Sequence, residues 1–320
     1  MIRTIWKDIS QEEAGHAQCH EHIWLTKGAS CQKNPALCID DRERSLQELK
    51  DYRLAGGRLI VDAQPTGCGR SARMLAELSM ESGVYIVACA GFHKKEFFDR
   101  TELLSWPEKA LSRLYIREIE EGIPDSGGKS SFCRAGILKA AAGRGWQTDP
   151  VYRRLFEAVA HAAVMTGAPV MIHTEKGNDI LALIHWFRER GVLPERLLIC
   201  HLDRTHYDPS YHKEVLSTGC FLCYDSIRRY KYVSEAEELS LLRQMKEAGF
   251  LSQIVLSLDT TNRRLRSYGA ADMGLDYIRT VYLPLLKEQG FTDSELRQMC
   301  IANAGKILNF IPERSTSHET

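Results

Sequence analysis

Val84-Tyr85-Ile86-Val87-Ala88-Cys89-Ala90 is apolar at nearly every position, and Gly91 follows it. A strand with one wet face would show a polar residue at every second place. This run is apolar on both faces, as strands buried in parallel sheets are. Just before it, residues 71–82 carry a helical pattern that stops at Gly83, a residue that readily adopts the left-handed backbone of a helix end. The same alternation of helix and apolar run recurs along the chain. Strands are expected at 16–22, 58–63, 84–90, 135–140, 169–174, 197–201, 219–224 and 254–259. Helical patterns lie between them at 41–55, 71–82, 107–121, 149–167, 177–191, 209–217, 235–248 and 273–289. A last helix, 293–308, opens on Thr292-Asp293-Ser294-Glu295, a capping-box pattern. This order predicts an α/β fold, a (β/α)8 TIM barrel, as a single domain over 1–320. The alternative, a doubly wound open sheet, usually has a Gly-rich turn after its first strand, and none is present.

The chain has 320 residues, 44% of them hydrophobic, which is ample for a large core. Lys+Arg 42 balance Asp+Glu 42 with no basic patch, so nucleic acid is not an expected partner. The first eight residues, Met1 to Asp8, lack the apolar segment of a signal peptide, and no apolar run reaches membrane-spanning length. Ten cysteines without a tight framework suit a reducing cytoplasm. Cys220-x-x-Cys223 reads as two strand residues facing opposite sides, not as a redox or zinc motif. The tail, residues 312–320, is polar and expected to fray.

In such a barrel, chemistry gathers at the C-terminal strand ends. His20-Glu21-His22 closes the first strand. Side chains at i and i+2 share a face, so His20 and His22 are expected to converge while Cys19 and Glu21 face away. Lys139 ends the fourth strand, His173 the fifth, His201 the sixth and Asp259 the eighth. Any one of these could simply mark the return to solvent. All of them at one barrel mouth read as an open divalent-metal site. His161 and His185 fall in helical patterns, and His206 and His212 in a loop and an early helix turn, so none is expected to be a ligand. His93, after the third strand, is a candidate to touch substrate.

This set resembles the phosphotriesterase family of the amidohydrolase superfamily, and the likeness spans nearly the whole chain. It includes Thr66-Gly67-Cys68-Gly69-Arg70, Ile172-His173-Thr174-Glu175, Cys200-His201-Leu202-Asp203-Arg204 and Asn303-Ala304-Gly305-Lys306. The resemblance implies two divalent ions, zinc above all, with manganese or cobalt as alternatives. His20, His22 and Asp259 would hold the buried ion, and His173 and His201 the outer one. Lys139, carbamylated by CO2, would bridge them with a hydroxide as second bridge. Asp259 would accept the proton of the attacking water, and Asp203 would support the site from behind. A carbamate is electrostatically sensible, because a free ammonium beside two cations would be repelled. One departure stands out: many members carry a histidine just after the strand 7 aspartate, and here Ser226 follows Asp225.

Substrate choice should lie in the loops after strands 7 and 8. They carry Arg228, Arg229, Lys231, Arg263, Arg264 and Arg266, six cations that read as an anion site. Arg228, Lys231 and Arg264 are the expected substrate contacts. The pattern looks like the branch that hydrolyses phosphorylated sugar lactones, with an organophosphate triesterase or an unphosphorylated lactonase as alternatives. Thus a small anionic substrate is the expected partner. Members of the family are often dimeric, and no dimer interface is legible here. A one-metal deaminase is disfavoured by Lys139, and a non-catalytic metal-binding barrel by the number of converging ligands.

Overall fold

The computed structural model describes residues 1–124, 132–269 and 272–310. The polar tail lies outside the described residues. Eight parallel strands form the sheet in chain order: β1 (His16–Glu21), β2 (Gly57–Asp62), β3 (Tyr85–Gly91), β4 (Ala135–Ala141), β5 (Val170–His173), β6 (Leu197–Cys200), β7 (Phe221–Tyr224) and β8 (Ile254–Leu256). Between them run α1 (Arg42–Leu54), α2 (Ala72–Ser82), α3 (Glu108–Glu120), α4 (Pro150–Thr166), α5 (Ile180–Arg188), α6 (Pro209–Leu216) and α7 (Glu235–Glu247). Every expected strand is present.

The apolar strands divide their side chains between two clusters. On β3, Ile86, Ala88 and Ala90 pack outward against the helices, and Val87 and Cys89 point into the barrel. On β7 the same alternation sends Leu222 outward and Cys223 inward, while Cys220 just before the strand joins the outer layer, so the two cysteines face opposite sides as expected. The interior layer of Val87, Ile137, Met171, Leu198 and Val255 forms a dry floor. From below it is covered by Ile2 and Ile9 of a short antiparallel pair, Ile2–Arg3 with Asp8–Ile9, and by Ala304, Ile307 and Leu308. Continuing the inward positions upward leads to Lys139 above Ile137 and to His173 above Met171.

The barrel closes between β1 and β8 through side chains as much as backbone. Asp259 N donates to His20 O at 3.1 Å. Ser257 Oγ accepts from His20 N at 2.9 Å, and Thr260 Oγ1 from His22 N at 3.0 Å. The buried Glu21 carboxylate accepts from Leu258 N (2.7 Å) and Thr260 N (3.1 Å). Burial pushes Glu21 up to about 7, and these N–H groups act against that rise. Glu21→Ala leaves two buried donors unpaired, at about 1–3 kcal/mol each. A loss of about 2–6 kcal/mol in unfolding free energy is expected, read as a lower denaturant midpoint. An unchanged midpoint would show that the closure does not depend on this carboxylate.

Four expectations need correction. The register shifts between Gln18 and Glu21, and Cys19 joins the interior cluster instead of facing away from it. The expected helix 273–289 starts only at Ile278, as a π-helical turn Ile278–Tyr282 followed by Leu283–Glu288. The capping box at Thr292 and Glu295 forms, but its helix is interrupted by a second π-helical turn, Gln298–Ala302. Cys31 and Cys38 form a disulfide, their Cα atoms 4.8 Å apart, and the other eight cysteines are buried thiols. Among the described residues, no helix is long and apolar enough to cross a membrane.

Candidate metal centre and active site

The C-terminal strand ends form the floor of a cavity of about 570 Å³, reached by His20, His22, Lys139, His173, His201 and Asp259. Two of these residues, His201 (φ 70°) and Asp259 (φ 49°), have left-handed backbone, as does Arg228 (φ 59°). Such conformations cost about 1–3 kcal/mol each in non-glycine residues and concentrate at functional sites. Gly91 serves the same region: a Cβ there would collide with the Lys139 backbone, which passes directly against it.

Asp225, at the end of β7, organises the floor. Its Oδ2 lies 2.9 Å from His20 Nδ1 and its Oδ1 2.7 Å from His201 Nδ1. Burial acts to raise the Asp225 pKa, but His201 and His20 hold it below the carboxylate range. An ionised carboxylate only accepts, so both imidazoles carry their hydrogen on Nδ1. Nε2 of each ring then points away from Asp225, toward the other candidate ligands. His201 Nε2 faces His173 Nδ1 at 2.8 Å, and His20 Nε2 faces Asp259 Oδ1 at 3.7 Å. His22 Nε2 is 3.4 Å from the same oxygen.

Burial lowers His22 and His173 to about 4, with the Lys139 charge acting in the same direction on both. His201 is also depressed, by burial and then by Arg204. These three rings are neutral and able to ligate. Burial acts to lower His20 too, yet Cys200, Asp225 and Asp259 raise it to about 10. That corner attracts positive charge, whether a proton or a metal ion. The ligand atoms of His20, His22 and Asp259 lie within 4.8 Å of one another, as one ion requires. His22 Nδ1 and His173 Nε2 are buried without a hydrogen-bond partner. The donor set of imidazoles and carboxylate suits a divalent transition ion. Lys139 Nζ, buried, donates to Ala63 O at 2.6 Å.

Around this floor the structure redistributes the expected substrate residues. Arg204 Nη1 pairs with Asp259 Oδ2 at 2.8 Å, and Arg229 Nη2 with the same oxygen at 3.0 Å. Arg229 and Arg204 therefore hold Asp259 well below the carboxylate range, against the upward push of burial. Lys231 lines the cavity beside the Tyr232 ring. Arg228 does not: its left-handed backbone turns it to Asp272, with which it forms an ion pair. Nor does Arg264, whose guanidinium donates to the carbonyls of Ile227 (2.6 Å), Arg228 (3.1 Å) and Leu258 (3.1 Å). Arg266 pairs with Asp276 at 3.1 Å. Asp203 lies behind the floor, where its Oδ2 accepts from Ser226 N at 2.7 Å. Burial, then the Asp225 charge, raises it to about 8. His93 lines the cavity, stacked on Phe97 with ring centres 4.8 Å apart.

Sequence reasoning passed over Asp225, Arg204 and Arg229 as working residues. Asp225 carried the same signal as the others, a polar residue ending an apolar strand. Arg229 stood among the six loop cations read as an anion site, not as a partner of Asp259, and Arg204 carried no signal beyond its proximity to His201.

A parallel barrel with histidines, a lysine and an aspartate at its C-terminal mouth defines the class of metal-centred barrel hydrolases. The chain belongs to the phosphotriesterase family, whose sequence model matches residues 2–308. It is similar to a phospho-furanose lactonase of Mycoplasmopsis synoviae, 28% identical over 331 residues that cover 98% of this chain and 93% of that protein. An N-acetyltaurine hydrolase of Bos taurus is 27% identical, covering 90% of this chain and 83% of its own. Among solved structures, a lactonase from Listeria monocytogenes superposes with a TM-score of 0.87 at 29% identity, covering 97% of this chain and 99% of the other. The chain is thus a hydrolase, in a family built on binuclear metal centres.

Proposed function

We propose that this chain opens a lactone or related ester of a phosphorylated sugar. The carrying observation is the charge of the cavity. Apart from Lys139, a carbamate in this reading, five cations line it, Lys94, Lys176, Arg204, Arg229 and Lys231, against two carboxylates, Glu175 and Asp259. Cavities for neutral triesters are apolar, whereas this one is suited to an anionic substrate.

In this reading His20, His22 and Asp259 hold one divalent ion and His173 and His201 the other, with zinc as the expected metal. Lys139, as a carbamate formed with CO2, joins them. When bound, the ions supply an acidified water as nucleophile and a Lewis acid for the carbonyl oxygen. The remaining work falls to the chain. Asp225 fixes the tautomers of His20 and His201. Arg204 and Arg229 keep Asp259 ionised and aimed. Asp259 accepts the proton lost by the attacking water and, being weakly basic, readily yields it to the leaving alkoxide. Lys231, with Arg204 beside the Tyr232 ring (5.2 Å), holds the phosphate at the rim.

A phosphorylated γ-lactone and its dephosphorylated form separate the alternatives. Charge-assisted contacts of about 1.5–3 kcal/mol predict a kcat/KM at least about tenfold higher for the phosphorylated compound. In Lys231→Ala most of that preference is lost. Equal efficiency on both compounds would remove the phosphate from the proposal and favour an unphosphorylated lactone.

A further inference from the structure

At the opposite end of the barrel, a second cavity of about 270 Å³ opens beside His16, the first residue of β1. Its walls come from Arg279 and Leu283 on one side and Leu296, Cys300 and Ile301 on the other. Each wall carries one of the two π-helical turns, Ile278–Tyr282 and Gln298–Ala302. Such turns are rare and are found frequently at functional sites.

The floor has a defined polarity. The Tyr52 hydroxyl donates its single hydrogen toward the carbonyls of His16 (3.0 Å) and Leu59 (3.1 Å). Its oxygen lies 3.1 Å from His16 Nδ1, so there it accepts, and Nδ1 carries the imidazole hydrogen. Burial, then the Arg279 charge, lowers His16 to about 3, so the ring is neutral. Nε2 is therefore a bare acceptor. It is buried without a partner, in a side chain whose residue is 3% exposed. Next to it, Arg279 gives its Nε hydrogen to Ala55 O at 3.0 Å, and no ion pair of Arg279 occurs among the described residues. At the rim, Lys287 is paired with Asp293 at 2.5 Å. The cavity thus offers a cation, a hydrogen-bond acceptor and apolar walls.

We propose that this cavity binds a small hydroxycarboxylate, its carboxylate on Arg279 and its hydroxyl donating to His16 Nε2. A lactone opened at the mouth yields a compound of this class, so the function proposed above would make this a product site. The binding itself does not depend on that reading.

The test is calorimetric titration of the metal-loaded full chain with γ-hydroxybutyrate, butyrate and butanediol. Tightest binding of γ-hydroxybutyrate is expected, weakened at least about tenfold in Arg279→Met. Leu296→Trp, which fills the cavity and keeps its charges, should abolish binding, and Lys231→Ala at the mouth should leave it unchanged. His16→Phe should erase the preference over butyrate. Absence of binding, equal binding of butyrate by the native chain, or loss of binding in Lys231→Ala with retention in Arg279→Met would each overturn the proposal. The last result would place the ligand at the mouth and leave the proposed hydrolysis standing.

Discussion

Lys139→Ala lowers turnover at least about a thousandfold, some 4 kcal/mol of transition-state stabilisation, and lowers metal content with it. The reason is position. Lys139 rises from the interior face of β4, two residues above Ile137 in the dry floor. Its tip reaches the cavity floor, where Nζ donates to Ala63 O at 2.6 Å, and its charge acts on both His22 and His173. A buried ammonium opposes the binding of cations, whereas its carbamate carries a negative charge and two oxygens. Alanine removes that charge and leaves the histidines in place. Elemental analysis beside a kinetic assay decides the point. Full turnover with the native metal content would mean that Lys139 is only a packed core residue.

Asp225→Asn weakens metal retention by about 10–100-fold, with a parallel fall in activity at limiting metal. The native carboxylate accepts from His20 and His201 at once. An asparagine side chain has one accepting oxygen, and its NH2 faces the other ring. That ring must then move its hydrogen to Nε2, the atom proposed to face the cation. Volume and packing barely change, so the fold should survive. Competition with a graded chelator measures the effect, and added metal should restore much of the activity. Native retention by the variant would show that the tautomers are not set by Asp225.

The barrel was legible because its strands are apolar on both faces and its helices are punctuated by glycine. Lys139, His173, His201 and Asp259 stood out because each ends such a strand. What stayed hidden depends on backbone direction. The register shift before Glu21 puts Cys19 and His20 on the same side of the barrel, and nothing in His16-Ala17-Gln18-Cys19 announces it. The left-handed φ of Arg228 sends that side chain outward while its neighbour Arg229 reaches Asp259. Composition shows that the loop is basic and is silent on which cation turns inward. Arg264 looked available and is taken up by three carbonyl oxygens of its own loops. Ser226, in the place of a histidine, contributes its backbone N–H to Asp203. Beside it, Asp225 contacts His20 and His201, and Arg204 and Arg229 pair with Asp259.

A binuclear centre on these six side chains underlies both effects. Metal content per chain, measured on protein purified without chelators, tests it most directly. About two divalent ions per chain are expected. One ion or none, even after incubation with zinc or manganese and bicarbonate, would contradict it.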